Sequence, residues 1–232
     1  MKPLLVITHE RSGTHLLINL INYNKNGEFL TIGVIPNGIP HTLENYKFHV
    51  YKSLVIRSYI DDCVCKSHHQ VEFMEEHLDF IFEKYNVIYL KRDFKDVIIS
   101  YYNFIEFSDK KLPNFEDWIF MKPDDIGKKY LHTDSTDPHV IIEPNNYIDR
   151  WKIHIDGWMK YKDNLLVLNY EDILNDYQNE KLKIENYIGR KIADTIPDVN
   201  DKNLPNFNPG KGIVGGYKNV MSDELIKKIN KF

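Results

Sequence analysis

Residues 3–21 read PLLVITHERSGTHLLINLI: an apolar run, a short polar turn, and a second apolar run with a different period. Leu4, Leu5, Val6 and Ile7 form a continuous apolar block suited to a strand buried on both faces of a parallel sheet. A helix is expected from about Thr14. Between the two, Arg11, Ser12, Gly13 and Thr14 combine a permanent positive charge, two hydroxyls and a residue without Cβ, so that backbone N–H groups can close around an oxyanion. The amide end and positive dipole of the following helix add to that attraction. Phosphate or sulfate is the guest that fits. A Walker A loop needs G-x-x-x-x-G-K-[ST], but Thr8 and Thr14 stand where its first glycine and its lysine belong. An ordinary magnesium nucleoside triphosphatase is therefore not expected. Taken alone, the stretch also fits a plain βα turn that holds no ligand.

The 232 residues, 42% of them hydrophobic, can bury the core of one ordinary domain, and a single domain over 1–232 is expected. A net charge of −4 gives no global attraction for nucleic acid, so any polyanion site must be local. Two cysteines, Cys63 and Cys65, cannot build a disulfide framework and point to a reducing, cytoplasmic setting. No stretch approaches the ~20 apolar residues of a membrane span, so no membrane partner is expected.

Outward from the first loop, 28–40 is rich in glycine and proline and reads as irregular structure able to line a pocket. Residues 46–59 show no clear pattern. Cys63, Val64 and Cys65 read as a short strand that delivers Lys66 and His68 to its C-terminal end, where open α/β sheets bind ligands. Two cysteines and two histidines within 63–69 raise the alternative of zinc, although C-x-C is not the usual ligand spacing. Residues 72–85 have a helical period, with Phe73, His77, Phe80 and Ile81 on one face.

Residues 86–90 form a second apolar strand ending near Arg92, and 95–107 a helix carrying Ser100. The proline-rich stretch 113–146, with a short helical piece at 116–121, reads as a lid or substrate loop. An amphipathic helix is expected over 147–161, a third strand over 165–168, and helices over 172–177, 180–188 and 222–231, the last capped by Ser222. Within 208–219, four glycines, Gly212 among them, accompany Lys211 in a loop able to wrap a phosphate. The fold class expected is α/β: a single P-loop-like three-layer domain with a central, mainly parallel sheet flanked by helices.

These pieces resemble the cytosolic-type sulfotransferase family, which transfers a sulfuryl group from 3′-phosphoadenosine 5′-phosphosulfate (PAPS). THERSGTHL, 8–16, is similar to the family's T-Y-P-K-S-G-T-x-W, and YLKRDFKDVIISYY, 89–102, to its Y-x-x-R-[ND]-x-K-D-x-x-x-S-Y-Y. Lys66, Ser67 and His68 match K-T-H, residues 151–158 match W-x-x-H-x-x-G-W, 170–172 match Y-E-D, and 210–218 match the terminal glycine loop. The departures are Arg11 for the loop lysine, Leu16 for the tryptophan that packs on the adenine, and Gly210 for an arginine. The family's dimerisation stretch is not recognisable after that loop, so the oligomeric state stays open.

The resemblance implies in-line transfer from PAPS to a hydroxyl, less readily an amine, of a small-molecule acceptor. His68 would be the general base, with Lys66 and Arg11 stabilising charge on the transferring group. Arg11, Ser12, Gly13, Thr14 and His15 would hold the 5′ end, and Arg92, Ser100, Lys211 and Gly212 the 3′-phosphate. Tyr170 would lie near the adenine, the product would be the desulfated bisphosphate (PAP), and no metal is called for. A small-molecule kinase of P-loop type and a non-catalytic nucleotide-binding protein of the same fold stay open beside it.

Overall fold

The structure is a computed structural model describing residues 1–25, 27–34, 42–106, 112–126, 140–197 and 212–232. Its centre is a parallel sheet of β1 (Leu4–Thr8), β2 (Leu30–Thr31), β3 (Val64–Ser67), β4 (Asn86–Lys91) and β5 (Leu166–Asn169), in the order β2-β3-β1-β4-β5. β1 lies in the middle and is buried along its whole length. Register with both neighbours begins at Leu4, paired with Val64 and with Asn86, so the C-terminal ends of β1, β3 and β4 come out on one edge.

Alternation along the strands divides the core into two layers. Leu5, Ile7, Cys65, Val87 and Tyr89 face a cluster with Val50 and Leu54 of α2 (Leu43–Arg57) and Ile155 and Trp158 of α7 (Tyr147–Met159). Leu4, Val6, Val64, Ile88 and Leu90 face α1 (Thr14–Ile21) and Ile184 and Ile188 of α9 (Tyr177–Ile188). The result is the expected three-layer α/β arrangement.

A third cluster joins Ile98 of α4 (Phe94–Glu106), Trp118 of α5 (Phe115–Trp118), Tyr147 and Ile148, and Leu225 and Ile229 of α10 (Asp223–Ile229). Trp118 is fully buried, its ring stacked 3.9 Å from that of Tyr147. Part of the stretch expected to be a lid is thus core. Short helices α3 (Leu78–Lys84), α6 (Pro123–Ile126) and α8 (Tyr170–Asn175) complete the described set. Residues 127–139 lie outside the described residues.

Several local expectations change. The patternless 46–59 is most of α2, whose Thr42 caps the amide of Asn45 at 3.3 Å. Instead of one helix over 72–85 there are 3₁₀ turns at Val71–Phe73 and Glu75–His77 before α3. Val71, Phe73 and Met74 of these turns are all buried in the cluster under α2 and α7. Two residues of 28–40 form edge strand β2, too short to carry a periodic signal.

Candidate active site

The loop after β1 turns twice through left-handed backbone. Arg11 has φ 65° and Gly13 φ 96°, and Gly13 then begins α1 without contributing a side-chain cap. A Cβ on Gly13 would lie 2.3 Å from Cδ2 of Tyr170, so glycine is required by both conformation and space. Tyr170 is 2% exposed; its hydroxyl donates to the carbonyl of Gly212 at 3.0 Å, and the Arg92 guanidinium lies 4.4 Å from its ring centre. It braces the loop from below. Burial raises the Tyr170 pKa against the opposing pull of Arg92, so the hydroxyl stays a donor.

Arg92, at the end of β4, donates to the carbonyls of Arg11 at 3.2 Å and Ile213 at 3.0 Å. Among the described residues it has no carboxylate within ion-pair distance, and its buried Nε has no hydrogen-bond partner. Ser12 Oγ is likewise buried and unpartnered. Arg11 donates through Nε to Ser100 Oγ at 3.1 Å, its guanidinium 4.8 Å from the Phe104 ring centre. Burial and then the charge of Arg92 lower the Arg11 pKa, with Tyr101 opposing. Two crowded guanidiniums and two orphaned donors form a cradle that an anion would satisfy.

The terminal glycine loop is held by a residue to which the sequence reading attached no role. Asp96, 4% exposed in the first turn of α4, accepts from the amides of Gly215 at 2.7 Å and Tyr217 at 3.0 Å. This sets 212–217 beside Arg92. Lys211, expected here, lies outside the described residues, as does Gly210.

On the other side, β3 delivers Lys66 and His68. His68 Nδ1 is 2.8 Å from the carbonyl oxygen of Thr8 and 3.0 Å from its Oγ1, which in turn is 2.6 Å from Thr14 Oγ1. A carbonyl only accepts, so Nδ1 carries the proton and the lone pair of the neutral ring is on Nε2. Lys66 Nζ donates to His15 Nε2 at 3.3 Å and lies 5.0 Å from the Phe29 ring centre. Burial lowers the Lys66 pKa, with the Glu10 charge opposing.

Glu10 forms a forked ion pair with buried Arg150 of α7, at 2.7 and 3.0 Å, and Arg150 also donates to His9 Nε2 at 3.2 Å. His9 Nδ1–H closes on the Glu10 carbonyl at 2.9 Å. This ties the loop to α7 and was not legible in sequence, because nothing in the chain marks two residues 140 apart as partners. Gln70 was missed similarly: its Oε1 accepts from the amides of Ile141 and Ile142 at 2.7 and 2.8 Å, fastening that segment close to His68. Leu16, which replaces the family's adenine-packing tryptophan, is buried in the core under α1. Among the described residues no group of three or more His, Cys, Asp or Glu is placed to hold a metal ion.

A parallel α/β sheet whose first loop gathers unpartnered donors beside a histidine held on a main-chain carbonyl defines an α/β class of protein with an anion-accepting loop after its first strand. Within it, the chain belongs to the sulfotransferase domain family, whose model matches residues 1–232. It is 28% identical over 204 residues to sulfotransferase 1E1 of Bos taurus, covering 84% of this chain and 61% of that protein's length. It is 27% identical over 158 residues to the amine sulfotransferase of Oryctolagus cuniculus, covering 64% of this chain and 44% of that protein. The fold matches mouse sulfotransferase SULT7A1 complexed with PAP, with TM-score 0.64 and 15% identity, over 99% of this chain and 82% of the other. Retinol dehydratase in complex with androsterone and PAP gives TM-score 0.62 and 17% identity, over 99% and 78%. No helix among the described residues is long and apolar enough to cross a membrane.

Proposed function

We propose that this chain transfers a sulfuryl group from PAPS to a hydroxyl, less readily an amine, of a small-molecule acceptor. The observation that carries the proposal is the position of Thr8, whose hydroxyl touches both Thr14 of the anion loop and His68 Nδ1. A general base and an anion cradle therefore meet at one residue. When bound, PAPS supplies the sulfuryl group on a phosphosulfate anhydride.

His68 takes the acceptor proton on Nε2 while Nδ1–H stays on the Thr8 carbonyl. Lys66 and Arg11 place positive charge where the bridging oxygen becomes negative, the electrostatic logic of phosphoryl transfer. Ser12, Gly13, Thr14 and His15 hold the 5′ phosphate. Arg92, Ser100 and Gly212, with Lys211, hold the 3′-phosphate; that Arg92 has no carboxylate partner among the described residues, and that its Nε is orphaned, support this assignment. Tyr170 stands at the adenine end by bracing Gly13 and Arg92. The acceptor is a small organic molecule that enters beside His68, and the setting is cytoplasmic.

Calorimetric titration with PAP, with ATP as control, tests the reading. Tight PAP and weak ATP binding are expected. Failure to bind PAP would reduce the proposal to a shared fold.

A further inference from the structure

We propose that Cys63 and Cys65 form a peroxide-reactive dithiol, which closes to an intrachain disulfide at the entrance of β3. Their sulfurs are 3.7 Å apart, in van der Waals contact on one side of the chain. Cys63 is half-buried and reachable by a small oxidant, whereas Cys65 is fully buried. The first is placed to react and the second to resolve.

The charges near Cys63 favour its thiolate, against one contact that favours the thiol, the donation of Sγ to the Arg57 carbonyl at 3.7 Å. The Cys63 pKa is lowered to about 7, first by the hydrogen bond from Cys65 and then by Arg57 and Lys25, against the effect of burial. Cys65 is held well above the ordinary thiol value by the same hydrogen bond and by burial, and Cys63 is the one of the two that reaches solvent.

The chemistry closes with a hydroperoxide as the named oxidant. The Cys63 thiolate attacks one peroxide oxygen and the O–O bond breaks, leaving Cys63–SOH and hydroxide. Cys65 sulfur then attacks the sulfenic sulfur, the S–O bond breaks, and the departing hydroxyl leaves as water with the Cys65 proton. Two thiols are oxidised and one peroxide is reduced to two waters.

The backbone decides what that bond costs. Residues i and i+2 of a strand stand roughly 6.6 Å apart, at the long end of the usual disulfide Cα separation of about 4.4–6.8 Å. Asp62, at φ 55°, turns the chain into β3, and Cys63 precedes the strand. Its carbonyl accepts from the amide of Leu4 at 2.8 Å, at the start of the β1–β3 ladder. Closure draws Cys63 away from that amide, so the disulfide is strained and readily reduced.

The test treats the full chain, reduced and freed of reductant, with near-stoichiometric hydrogen peroxide and follows intact mass and thiol titre. The expected product has lost two hydrogens and both thiols, is restored by dithiothreitol, and melts several degrees below the reduced protein. Cys65→Ser should instead accumulate a dimedone-trappable sulfenic acid at Cys63, and Cys63→Ser should react at least tenfold more slowly. Over-oxidation of Cys63 with Cys65 still titrating as a thiol would overturn the pairing. An oxidised protein with an unchanged melting point would overturn the strain.

Discussion

The Cβ that Gly13 lacks would sit 2.3 Å from Cδ2 of Tyr170, so the anion loop and the residue following β5 are in contact with no room for a methyl group. That contact lets a loop from the middle strand share a floor with Arg92. Gly13→Ala must either move Tyr170 or unwind the turn at φ 96°, the backbone strain alone costing about 1–3 kcal/mol. A lower melting temperature together with loss of PAP binding is expected in thermal denaturation and calorimetry. Wild-type affinity in the alanine variant would remove the loop from the site.

Arg92→Met should weaken PAP about 10–100-fold, from the loss of charge-assisted hydrogen bonds worth ~1.5–3 kcal/mol. ATP, which lacks the 3′-phosphate, should be affected far less. A loss of equal size for both nucleotides would mean that Arg92 only props up the loop. Asp96→Asn reaches the same end from the other side: with the amides of Gly215 and Tyr217 less firmly held, PAP affinity should fall while the fold persists.

His68→Ala should lower turnover roughly 10²–10⁴-fold and leave PAP binding intact. Thr8→Val separates the two partners of that threonine. It removes the hydroxyl next to Thr14 but keeps the carbonyl that holds Nδ1, so donor affinity should drop while the pH dependence of turnover stays put. A displaced pH profile in the valine variant would show that the hydroxyl, not the carbonyl, sets the state of His68.

His154 lies under the loop, 3% exposed, with Nδ1 2.8 Å from the Tyr89 hydroxyl. Burial above all holds its pKa well below the ordinary value. Below about pH 6.5 the unfolded chain protonates this histidine and the folded chain does not, so its contribution to stability, fully present above that pH, is lost as pH falls. The limiting slope is about 1.4 kcal/mol per pH unit. Urea unfolding between pH 7 and 5 should show a shallower decline for His154→Gln; parallel curves would refute this.

Four of the five strands were legible, and those buried on both faces, such as 4–7 and 86–90, announce themselves as unbroken apolar runs, whereas edge strand β2 was not. Helix α2 was not, since its buried Tyr46, His49, Val50 and Leu54 sit among Lys, Asn and Glu that blur the stripe. The site divides similarly. Arg11 and Gly13 could be read as anion-loop residues from residue type and local spacing, whereas Lys66, His68 and Arg92 stood out only through the resemblance of their motifs to a known family. Asp96, Gln70 and the Glu10–Arg150 pair act through partners distant in the chain, and only the folded geometry brings those together.

The Thr8 carbonyl that receives the His68 proton belongs to the main chain at the end of the middle strand. No side-chain replacement on β1 can take it away. On the proposed function, His68 thus inherits its proton arrangement from the sheet itself, which leaves the surrounding side chains free to diverge toward new acceptors without resetting the nitrogen proposed to take the acceptor proton.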